Sequence, residues 1–112
     1  MALSFKLIEL EPQFLKRIDD NHFRHVDSIA KADGIMFVCP LCFENNGRQR
    51  PGVHSVLCWS PSVPLTTEPG PGRWSLVGTG YEDLSLQAGS SSILLTGEGC
   101  GWHGFIKNGE VI

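Results

Sequence analysis

Hydrophobic and polar positions alternate along this chain only in short patches. "SFKLIEL" (4–10) sets Phe5, Leu7 and Glu9 against Lys6, Ile8 and Leu10, a mixed pattern that suits a first strand. After Pro12, the apolar residues Phe14, Leu15 and Ile18 fall at helical spacing, and Phe23, Val26, Ile29 and Ala30 form a second such run. These runs predict one or two short N-terminal helices ending near "KADG", with Gly34 in the left-handed conformation that closes a helix. "IMFVCPLCF" (35–43) reads as a buried strand running into a turn made by Cys39, Pro40, Leu41 and Cys42, and "ENNGRQRPG" reads as a loop. "VHSVLCWS" (53–60) is the next strand, and the Pro-rich "PSVPLTTEPGPG" should break any ladder. "RWSLVGTG" and "SSSILLT" supply further strands. In "GFIKNGEVI" (104–112), Asn108 and Gly109 separate two short β runs, a strong hairpin signal.

Composition agrees with a turn-rich β protein. The 112 residues suit one domain, 41% hydrophobic and 19% charged residues are ordinary globular values, and 13 Gly with 7 Pro imply many turns between short strands. The expected fold is α+β, mainly β: one small zinc-ribbon-like domain over 1–112, with short N-terminal helices and a C-terminal β-hairpin. A net charge of −3 argues against a broad electrostatic grip on nucleic acid. No apolar run approaches the ~20 residues of a membrane span, and the acidic residues in "MALSFKLIELEPQF" disfavour a secretion signal. A soluble protein made in a cytoplasm, with no membrane partner, is expected.

The chemistry concentrates in two half-sites: Cys39 and Cys42 in "CPLC", and Cys100 and His103 in "CGWH". Two turns with the same offset can deliver three thiolates and an imidazole to one tetrahedral ion. Pro40 would stiffen the first turn, while Gly99 and Gly101 would let the second bend tightly. Four protein ligands, three of them sulfur, point to structural Zn2+ in a closed site, although iron favours similar ligands and geometry. His54 and Cys58 are accessory candidates. On one strand they share a face but lie ~13 Å apart, so at most one could join the ion. Cys58 reads as a small buried hydrophobe and His54 as a hydrogen-bonded or exposed side chain.

A thioredoxin-like redox reading of "CPLC" wants a βαβ context with a helix opening at that turn, and "FENNGRQRPG" offers no such helix. The order and residues of a nucleobase deaminase are absent, as are HExxH, a Walker loop and G-x-S-x-G. An enzyme would need a vacant metal corner and a proton carrier, for which His54 with Glu44, Glu98 or Asp83 are the available groups. Arg48 and Arg50 in "GRQRPG" form a candidate binding loop for phosphate or carboxylate. Trp59, Trp74 and Trp102 read as core residues.

The ordered set "ADGIMFVCPLCF", "GVHSVLCW", "GPGRW", "GTGYEDLSL" and "GCGWHGFIKNG" resembles a family of small tailed-phage and prophage proteins, over the chain from about Ser28 to the end. Some relatives carry an ammonia monooxygenase label, yet nothing in this chain resembles a copper oxygenase site. The resemblance implies a phage origin, supports Cys39, Cys42, Cys100 and His103 as a shared site, and implies no established activity. The expected role is that of a zinc-binding structural or protein-binding module, a virion or assembly component with a phage or host protein as partner. It would reside in the host cytoplasm or be incorporated in the virion. The alternatives are an early phage protein that engages a host factor or nucleic acid through Arg48 and Arg50, and a small zinc-dependent enzyme.

Overall fold

The structure is a computed structural model that describes residues 5–20, 22–49, 53–64, 66–67, 73–87, 93–94 and 103–112, without the side chains of 93, 94 and 103. It is mainly β. The strands are β1 (Phe5–Lys6), β2 (Gln13–Asp19), β3 (His22–Val26), β4 (Gly34–Val38), β5 (Ser55–Trp59), β6 (Ser75–Val77), β7 (Ser85–Gln87), β8 (Ile93–Leu94), β9 (His103–Gly104), β10 (Ile106–Lys107) and β11 (Glu110–Val111). One short helix, α1 (Pro40–Asn45), and two 3-10 turns, Leu7–Leu10 and Ile29–Lys31, complete the described elements. No helix among the described residues is long and apolar enough to cross a membrane.

The central element is an antiparallel four-stranded sheet in the order β3-β2-β4-β5. Its register sorts the side chains by face. Ile35 lies opposite Cys58 and Phe37 opposite Val56, and all four enter the main core with Phe5, Leu7, Leu10, Phe14, Leu84, Leu86, Ile106 and Val111. Met36 lies opposite Leu57 on the other face, where Leu15, Trp59 and Val63 form a second cluster. Each of these large side chains contributes roughly 1.5–3 kcal/mol by leaving water.

The segment expected to form N-terminal helices is a β-hairpin instead. Phe14 and Leu15 are adjacent and both buried, one in each cluster, because β2 is covered on both faces there. A doubly buried strand breaks period-2 alternation, and the pair followed by Ile18 then imitates a helical stripe. In the structure Ile18 is 59% exposed, which a core-facing helix would not allow. Gly34 likewise ends no helix. It opens β4, where a Cβ would lie 2.6 Å from the Cys58 carbonyl oxygen and 2.6 Å from Trp59 Cε3. The missing side chain is what lets the Trp59 ring lie across the strand.

The C-terminal hairpin has the two-residue loop expected for Asn-Gly. Ile106 pairs with Val111 and Lys107 with Glu110, while Asn108 (φ 50°) and Gly109 (φ 77°) turn the chain in the left-handed region. β11 also pairs with β1, closing a three-stranded sheet in the order β1-β11-β10. The turn is docked as well as tight: Gly109 N–H donates to Leu84 C=O at 2.8 Å, and Leu7 N–H donates to Gly109 C=O at 2.7 Å.

Candidate metal centre

Cys39 follows the last residue of β4 and caps the start of α1. Pro40 occupies the first helical turn, where its missing N–H costs nothing and its fixed φ suits the helix. Phe43 N–H donates to the Cys39 carbonyl at 2.9 Å, so Cys42 rises from the same turn and lies beside Cys39. The helix stops after six residues in a Schellman arrangement: Gly47 N–H reaches Glu44 C=O at 3.2 Å and Arg48 N–H reaches Phe43 C=O at 2.8 Å, with Gly47 at φ 67°. "CPLC" is therefore the opening of a helix and not the simple turn read from sequence. The expectation that no helix follows it is corrected, while the βαβ context of a thioredoxin-like pair is not met here, because β4 and β5 on either side of α1 pair antiparallel.

His54 reaches the pair from the position just before β5. The β4–β5 ladder ends at Val38 opposite Ser55, which puts Cys39 opposite His54 one step further on. Cys39 N–H donates to His54 C=O at 3.0 Å, continuing the pairing past the last ladder residue. Side chains directly opposite on antiparallel strands share a face and stand about 5 Å apart. The ligand atoms of Cys39, Cys42 and His54 consequently lie within 4.8 Å of one another. Cys39 is buried, Cys42 partly exposed and His54 exposed, so the group opens from the core to the surface.

The donor chemistry fits a thiophilic divalent ion. At Zn–S of about 2.3 Å and Zn–N of about 2.0 Å, tetrahedral ligand atoms stand roughly 3.3–3.8 Å apart. Side-chain rotation of about 1 Å would close the present spacing to that value. Among the described residues these three lie close enough together to hold a metal ion, while the identity of the metal is not determined by their geometry.

The other candidates from the sequence have different places. Cys58, four residues beyond His54, points into the main core opposite Ile35, is 0% exposed, and has its thiol pushed up to about 12 by burial. It is a small core hydrophobe, and of the two accessory candidates His54 is the one that joins the cysteines. Cys100 and Arg50 lie outside the described residues. His103 is described only as backbone in β9, paired with Leu94 of β8. Arg48 donates to Glu44 at 2.8 Å and lies 4.8 Å from the centre of the Phe5 ring, so it braces the end of α1. Asp83 accepts the Thr79 and Gly80 N–H groups and the Thr79 hydroxyl, each at 2.9 Å, and these bonds hold its carboxyl below the ordinary value. Its oxygens are committed to that turn.

His54 was reachable in principle. If "IMFVC" and "VHSVLCW" are antiparallel neighbours sharing the core face of Phe37 and Val56, the same register extends to Cys39 and His54. The missing piece was the pairing, which one sequence does not state.

The fold and site thus define a small, mainly β protein with a Cys-Cys-His cluster at the end of its central sheet. Comparison with protein-family models, curated proteins and solved structures gave no match for the chain.

Proposed function

We propose that this chain is a zinc-binding domain in which Cys39, Cys42 and His54 hold one Zn2+. The two cysteines bind as thiolates and His54 as a neutral imidazole. The convergence of these three ligand atoms within 4.8 Å, from two separate stretches of backbone, the Cys39–Cys42 turn and the residue before β5, is the observation that carries the reading. The bound ion ties the β4–α1 junction to the start of β5 and so stabilises the end of the central sheet. In a domain with a modest core, metal binding of this kind is folding free energy. The fourth ligand comes from the second half-site, Cys100 or His103, which gives a closed structural site. X-ray absorption at the zinc edge of the loaded protein tests the ligand set. Two or three sulfur scatterers with at least one imidazole are expected, and an all-oxygen shell would sink the proposal.

A binding role as a phage virion or assembly component is the biological setting proposed on the family resemblance. Exposed apolar side chains on the β2–β3 hairpin favour a protein partner, since Ile18 on β2 is 59% exposed and Phe23 on the edge strand β3 is 43% exposed. The arginine loop favours nucleic acid less, because Arg48 is held by Glu44 and Phe5. Co-purification with virions tests the role, and absence from purified particles would count against it.

A further inference from the structure

Cys39 and Cys42 are both thiols, with sulfurs inside the same 4.8 Å group. Residues three apart at the start of a helix have Cα atoms about 5 Å apart by helix geometry, inside the roughly 4.4–6.8 Å window of a disulfide. The two sulfurs can therefore close on an ion or on each other, and one outcome excludes the other. Cys42 is partly exposed and lies beside exposed His54, whereas Cys39 is fully buried. A small oxidant meets Cys42 first.

We propose that the metal centre is redox-gated: a peroxide oxidises Cys39 and Cys42 to a disulfide and expels the ion, and a dithiol reductant restores the binding form. The proposal rests on the zinc reading. The Cys42 thiolate attacks one peroxide oxygen, the O–O bond breaks, and Cys42 becomes a sulfenic acid as hydroxide leaves. The Cys39 thiolate then attacks the Cys42 sulfur, the S–O bond breaks, and a second hydroxide leaves with formation of the S–S bond. Two electrons pass from sulfur to oxygen, and two protons convert the two hydroxides to water. The disulfide sulfurs have lost the thiolate charge that held the ion, and His54 with the one ligand of the second half-site is a weak site.

Cys58 provides an internal control. It is 0% exposed, out of reach of solvent, and burial pushes its thiol up to about 12, which disfavours the reactive thiolate. It should survive oxidant that consumes the pair.

The test uses the full zinc-loaded chain treated with hydrogen peroxide, with released zinc read by a chromogenic chelator and thiols mapped by alkylation and trypsin. Cys39 and Cys42 fall in one tryptic peptide, 32–48, and Cys58 in another. The expected result is one zinc released per chain in step with an internal disulfide in that peptide, unmodified Cys58, and full rebinding after dithiothreitol and zinc. A Cys58→Ala variant should release zinc at the same rate. Zinc retained while the peptide is oxidised would overturn the proposal, as would release accompanied by a disulfide to Cys100 or by sulfinic acids alone. Protein that takes up no zinc before oxidant is added defeats the zinc reading itself, and the gating falls with it.

Discussion

Gly34→Ala tests the packing that sets the ladder beneath the metal centre. The added Cβ would lie 2.6 Å from the Cys58 carbonyl oxygen, 2.6 Å from Trp59 Cε3 and 3.2 Å from Trp59 Cα. Ordinary contact begins near 3.4 Å, so most of an ångström must come from a backbone or from a ring that is 1% exposed and packed against Leu15 and Val63. Neither can move without opening the second cluster or separating β4 from β5. Overpacking of this kind costs about 1–3 kcal/mol, and the gain in strand preference of Ala over Gly returns roughly 0.5–1 kcal/mol. A net loss of about 1–2 kcal/mol corresponds to a melting temperature lower by about 4–10 °C for a domain of this size. Thermal unfolding followed by circular dichroism measures it, and the emission of Trp59 should change because its ring is displaced. An unchanged melting temperature would show that Gly34 is replaceable and that the close Trp59 approach is not a constraint.

Gly109→Ala should cost more, about 3 kcal/mol or beyond, because φ is 77° and the new Cβ would run into the Glu82 carbonyl; a chemical denaturation midpoint near wild type would refute this. Cys58→Ser should leave zinc stoichiometry unchanged while lowering stability by about 1–3 kcal/mol through a buried hydroxyl, and loss of zinc in this variant would put Cys58 in the site. Asp83 is a pH probe. Its folded carboxyl lies below the ordinary 3.8, so the stability it contributes is present above that value and is lost as pH falls through the folded one. Asp83→Asn should therefore flatten the acid limb of a stability-versus-pH curve below about pH 4, and an identical acid limb would contradict the assignment.

Much of the β architecture could be read in the sequence, and the failures have physical causes. The Asn108–Gly109 hairpin was legible because the turn chemistry is local and needs no partner. The strands "IMFV" and "SVLCW" were legible because both are apolar runs bounded by turn formers. Phe14, Leu15 and Ile18 misled because burial on two faces erases alternation, and no local signal distinguishes that case from a helical stripe. The helix at Pro40 was hidden by its brevity, since six residues cannot display a period. In the candidate site, Cys39 and Cys42 announce themselves by spacing. His54, legible only as an accessory candidate, depends for its place beside the cysteines on strand register, a long-range fact. Cys100 and His103 lie where the structure adds no side-chain geometry, so their part in the site remains a proposal from spacing.

The most direct measurement is the zinc content of the purified chain beside a His54→Ala variant, with Cys58→Ala as the folded control. The account predicts about one zinc per chain in the wild type and in Cys58→Ala, and loss or marked weakening of zinc in His54→Ala. Zinc retained in full by His54→Ala would remove His54 from the site, and a wild type that holds no zinc when reduced and chelator-free would contradict the metal centre altogether.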